Sequence, residues 1–115
     1  MKRRTKKFAF DCINLSSQLP KDYLCNHIKG QLIRSSTSVA CNYRAVCLSQ
    51  SKASFISKLS IVLEESDETE YWLECIIEKN LIEKNKAVGL LKEANELSSI
   101  FIKSRKTARK NSQGN

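Results

Sequence analysis

The stretch SKASFISKLSIVLEESDETEYWLECIIEK runs from Ser51 to Lys79 without a glycine or a proline. Phe55, Leu59, Val62, Leu63, Ser66, Leu73, Ile76 and Ile77 recur mostly at spacings of three and four, the period that lines one face of an α-helix. Glu64, Asp67, Glu68, Glu74 and Glu78 fall on the other face. Ser51 is a good N-cap, since its hydroxyl can accept from an amide of the first turn. At 1.5 Å per residue such a helix spans about 40 Å. A rod of that length has to bury its apolar stripe against something, and other helices are the simplest partners.

Three further segments supply them. Upstream, beyond a polar break at residues 48–51, the stretch from Asp22 to Val46 carries a stripe of Leu24, Ile28, Leu32, Ser35, Val39 and Val46, with Asp22 as N-cap. Its middle is crowded with small residues that would let another helix approach closely. A shorter segment, Thr5 to Gln18, places Phe8, Cys12, Ile13, Leu15 and Leu19 near one face and stops at Pro20. Downstream, Asn85 to Arg105 carries Ala87, Leu90, Leu91, Ala94, Leu97, Ser98 and Phe101. The sequence therefore predicts an all-α protein, an antiparallel up-down-up-down four-helix bundle occupying residues 1–106. Residues 107–115 read as a disordered basic tail.

Composition agrees. Three glycines and one proline in 115 residues are too few for the turns of an all-β fold. No apolar run approaches the roughly 20 residues that cross a bilayer, and the run behind the basic N-terminus is too short for a signal peptide. A cytoplasmic protein is expected. The five cysteines are irregularly spaced without a CxxC, and His27 is the single histidine, so no metal site and no cofactor are expected. There is no glycine-rich phosphate loop, GxSxG or HExxH, and no enzyme activity is expected.

Charge is more informative. The net charge is +8, yet residues 11–102 carry all twelve acids against ten basic residues. The excess sits at the two ends: Lys2, Arg3, Arg4, Lys6 and Lys7, then Lys103, Arg105, Lys106, Arg109 and Lys110. In an antiparallel bundle the start of the first helix and the end of the fourth lie together, giving a basic cluster suited to RNA or DNA through release of phosphate counterions. The alternative is a protein-interaction or scaffold module whose tails only keep it soluble.

Two other features stand out. Gln31, Arg34, Ser35, Ser38 and Asn42 lie along one side of the second helix, with Glu65 and Glu68 of the third as natural partners for Arg34. They form either a structural polar network that sets helix register or part of a binding groove. Tyr71 and Trp72 are adjacent and point about 100° apart, so one can fill the core while the other faces outward.

The segments Gln31–Arg44 (QLIRSSTSVACNYR) and Ser51–Glu74 together resemble the signature of the 23S rRNA intervening-sequence proteins, also called the S23 ribosomal protein family. The likeness extends from about Phe8 to Phe101. It implies a four-helix bundle assembling as a ring, a homopentamer, with no established enzymatic activity. A related branch is the accessory variability protein of diversity-generating retroelements, a basic pentameric barrel that binds nucleic acid and a reverse transcriptase. The partners so implied are further copies of this chain, RNA or DNA, and a reverse transcriptase. Arg34, Ser35, Ser38, Asn42 and Glu65 match the family pattern, whereas Ala45 stands where many members have an acid.

Overall fold

The computed structural model describes residues 1–113 and contains four helices: α1 (Lys2–Ser16), α2 (Tyr23–Cys47), α3 (Lys52–Glu78) and α4 (Lys84–Gln113). Each packs antiparallel on the next, and α4 closes onto α1, while α1–α3 and α2–α4 are the diagonals of the bundle. The molecule measures 53 × 22 × 20 Å.

The caps follow from local chemistry. The Cys25 amide donates to Asp22 Oδ1 at 2.8 Å, and the Ser54 amide to Ser51 Oγ at 3.1 Å. Both capping residues are extended, so their side chains fold back onto orphan amides of the first turn. At the far end of α3 the chain reverses through Asn80, whose φ of 53° is left-handed. Leu81 N donates to Ile76 O and Asn80 N to Ile77 O, the paired bonds of a Schellman ending, with asparagine in place of the usual glycine. Leu81 then packs against the core as the apolar residue that accompanies this ending.

All four helices feed one core, with Phe8, Cys12, Leu32, Val39, Leu59, Val62, Leu73, Ile76, Leu97 and Phe101 all 1% exposed or less. The predicted stripes hold with two exceptions: Ile13 is only half-buried and outside the core, and the first turn of α2 is shifted by one residue. Leu24 is 47% exposed and Cys25 is buried in its place. Cys25 falls on the line through Ile28, Leu32, Ser35 and Val39, whereas Leu24 lies a further 100° round the helix.

The C-terminus also differs from expectation. Helix α4 runs on to Gln113, so residues 107–113 of the expected disordered tail are helical; residues 114–115 lie outside the described residues. Lys106, Ala108, Arg109, Lys110 and Gln113 are good helix formers, and no glycine or proline occurs between them and Gly114. Thr107 and Ala108 also line a groove together with Ser49–Ser51 of the α2–α3 loop and Lys52 of α3. No helix among the described residues is long and apolar enough to cross a membrane.

Replacing Phe101 by alanine is expected to cost about 3–5 kcal/mol in urea unfolding, because a fully buried ring leaves a cavity. Asp22→Ala removes one cap and is expected to cost about 1 kcal/mol.

Candidate nucleic-acid interface

Charge along this bundle is sorted by position. Between Asp22 and Glu64 there is no acid, and none follows Glu96. Folding brings together the start of α1, the end of α2, the start of α3 and the end of α4. That half holds thirteen lysines and arginines and no carboxylate, whereas all twelve acids sit in the other half with the remaining seven lysines and arginines. The ten predicted cations belong to the basic half, joined by Arg44, Lys52 and Lys58 from the middle of the sequence. Those three escape a reading centred on the chain ends; the signal that finds them is the long interval without an acid.

Not all ten predicted cations face solvent unpaired. Arg4 lies at the boundary between the halves, where its Nε and Nη2 reach Glu93 at 2.9 and 2.7 Å and Nη2 reaches Glu96 at 2.9 Å. This fork holds the Glu93 carboxyl below its ordinary value and the Arg4 guanidinium above its own. Arg4 is therefore a clasp between α1 and α4. Lys7 pairs with Asp11 at 2.8 Å, one turn along α1. Arg105 Nη1 donates to Ser60 Oγ on α3 at 3.3 Å. Lys2, Arg3, Lys6, Lys103, Lys106, Arg109 and Lys110 are exposed and take part in none of the ion pairs among the described residues.

Two grooves open in the basic half. One of about 710 Å³ lies between the α2–α3 loop and the last turns of α4, lined by Ser49, Gln50, Ser51, Lys52, Phe55 and Lys103 among others. The other, about 840 Å³, lies between α1 and α2; its floor is Ala9, Thr37, Ala40, Cys41 and Ala45, and its rim carries Lys2, Arg3, Lys6 and Arg44. Neither is lined by a carboxylate.

The predicted polar set divides in two. Arg34 on α2 donates to Gln31 Oε1 at 3.2 Å, to Glu65 at 3.2 Å and to Glu68. Trp72 Nε1 lies 3.5 Å from the same Glu68 carboxylate. Arg34 holds the Glu68 carboxyl below its ordinary value. The expected pairing is present, but its Arg34 side chain is 47% exposed, so it is a surface strap rather than a buried ion pair. Ser35 is fully buried beneath it and accepts from Thr69 Oγ1 at 2.9 Å. Ser38 and Asn42 bond only one another and the α2 backbone. Trp72 is half-buried against the core and Tyr71 is exposed, the two rings meeting edge to face at 5.0 Å, with His27 at 5.6 Å from Trp72. Among the described residues no group of three His, Cys, Asp or Glu side chains could hold a metal ion. Burial pushes the Cys12 thiol up to about 12, which leaves it unreactive at neutral pH.

Arg4→Met is expected to lower stability by about 0.5–1 kcal/mol at neutral pH, since the clasp is bidentate but only partly buried. Because the Glu93 carboxyl titrates below its ordinary 4.5 in the folded state, the contribution is complete above that value. It is lost as pH falls through the lowered folded value, so urea unfolding curves of Arg4→Met and the native chain should converge in acid.

The sequence matches the family described as 23S rRNA-intervening sequence protein over residues 1–103. No functionally curated protein matches it. Among solved structures it is similar to a protein of unknown function from the S23 ribosomal protein family of Bacteroides thetaiotaomicron VPI-5482. The two share 32% identity and a TM-score of 0.82, over 91% of this chain and 97% of that one. A likeness this complete, in sequence and in the course of all four helices, places the chain in the 23S rRNA-intervening sequence protein family.

Proposed function

We propose that this protein is a non-catalytic, homo-oligomeric nucleic-acid-binding protein that meets RNA or DNA with the basic half of its bundle. The observation that carries this reading is the gathering of thirteen cations toward one end of the bundle, where only Arg4 and Lys7 take part in the ion pairs among the described residues. A soluble surface needs charges of both signs interspersed and gains nothing from sorting them. Sorting produces a directed field, which attracts a polyanion to one end and repels it from the other. Each phosphate neutralised there releases counterions, so binding is tolerant of sequence and steeply dependent on salt. Assembly into a ring, such as the pentamer that the family resemblance suggests, would repeat the basic end around an axis and multiply its field.

The scaffold reading is the second candidate, and the exposed Tyr71 and Tyr23 in the acidic half favour it. In that reading a protein partner, for which a reverse transcriptase is one candidate, docks on the acidic half and the basic end serves solubility.

The two readings separate in a salt series with structured RNA and duplex DNA, oligomer mass being measured in the same buffers. Substitution is a cleaner probe than truncation, because residues 1–7 include the Arg4 clasp and residues 103–113 are helical. Lys103, Lys106 and Lys110 are exposed on successive turns of α4. Replacing all three with glutamine is expected to weaken binding and to flatten the log–log salt slope by about 0.9 for each duplex phosphate that is no longer neutralised. An unchanged slope, or no binding by the native protein at low salt, would turn the assignment toward the scaffold.

A further inference from the structure

We propose that the groove between α1 and α2 is a stacking site for an unpaired base of a single-stranded nucleic acid, with Phe10 as its platform. The proposal rests on the nucleic-acid reading above and names the polymer and the subsite.

Phe10 follows two core residues, Phe8 and Ala9, which are 1% and 2% exposed, yet its own ring is 53% exposed. It stands at the mouth of the 840 Å³ groove, a volume within the range of small-ligand sites. Leu48, at the end of α2, is 76% exposed and lines the same groove. Exposed apolar side chains gathered in one groove with a polar rim are a feature of ligand-binding grooves. The rest of the lining states the remainder of the occupant's chemistry: Lys2, Arg3, Lys6 and Arg44 share the groove with these two residues, with no carboxylate among the lining groups. Lys6 Nζ lies over the Phe10 ring, 5.7 Å from its centroid, so a cation caps one face of the platform and the stacking base takes the other.

A nucleotide carries that combination within one unit, a flat π face beside a phosphate. Aromatic rings interleaved with cations are how proteins bind single strands without reading sequence. A duplex keeps its base faces stacked inside and cannot use Phe10, although it can use the cations. An acidic peptide can also use the cations, but it has no need of an aromatic ring. The planar ring therefore selects the unpaired base over the other two.

Phe10 points away from the core, so its replacement leaves Phe8 and Ala9 in place; circular dichroism verifies that each variant folds. The probes are a fluorescein-labelled oligothymidylate and a duplex of the same strand length, each titrated with native protein, Phe10→Ala, Phe10→Leu and Phe10→Trp. Phe10→Leu keeps apolar bulk and loses the π face. Both Phe10→Ala and Phe10→Leu are expected to weaken oligothymidylate binding by about 10-fold without changing its salt slope or the duplex affinity, whereas Phe10→Trp keeps or improves it. Native affinity in Phe10→Leu, or equal weakening of duplex and single strand, would overturn the stacking site. So would more effective displacement of the oligothymidylate by a glutamate-rich peptide than by unlabelled oligothymidylate. Duplex binding without oligothymidylate binding by the native protein refutes this subsite and leaves the basic-end reading standing. Binding of neither refutes both.

Discussion

The bundle depends on a requirement placed on its hydroxyl groups. Ser35, Ser36, Ser66 and Thr69 are buried where the helices meet. A hydroxyl taken out of water without a partner is costly, so each must be satisfied in place. Thr69 donates to Ser35 across the α2–α3 seam, and Ser66 pairs with Ser98 across the α3–α4 seam at 2.6 Å. No buried side-chain nitrogen or oxygen among the described residues lacks a partner. Apolar stripes alone tolerate sliding, whereas these bonds exist at one height. They set the register of three helices, and that register lifts the α2–α3 loop to the level of the last turns of α4. The sorting of charge along the sequence thereby becomes a sorting of charge in space.

Features written in neighbouring residues were legible beforehand. Asp22 and Ser51 act as caps because a cap is decided within one turn. Arg34 finds Glu65 and Glu68 because two long antiparallel helices joined by a short loop leave little freedom in which residues face each other. Family membership was readable because both signature segments lie on these same two helices. The Arg4 clasp was not legible: its partners are 89 and 92 positions away, at the opposite end of the chain, and many acids could have served. The exposure of Leu24 turned on a single residue of phase in the first turn. The helical C-terminus was obscured by a polar composition that suits both a solvated helix and a loose tail.

Cations in this molecule have divided tasks. Arg4 and Arg34 join helices through carboxylates, and Arg105 braces α4 against α3. Lys7 pairs within its own helix, most of the other cations of the basic half lie exposed beside two open grooves, and Lys21, Lys29, Lys79, Lys84, Lys86 and Lys92 lie among the acids of the other half. A structural role and a recognition role are thus carried by the same residue type, separated only by whether a carboxylate lies within reach. The family relationship establishes the framework; the arrangement of the unclaimed cations is what gives this member a direction.

That direction has a geometric consequence. A rod with a positive end and a negative end turns in the field of a polyanion until it stands upright. On the proposed reading the end it presents measures about 22 × 20 Å, with the α1–α2 groove opening on the flank beside that end. At 3.4 Å per base pair, one upright copy would cover about six base pairs of duplex on that reading. On that reading its acidic half would be held outward, away from the polymer, and would repel a second strand approaching from that side.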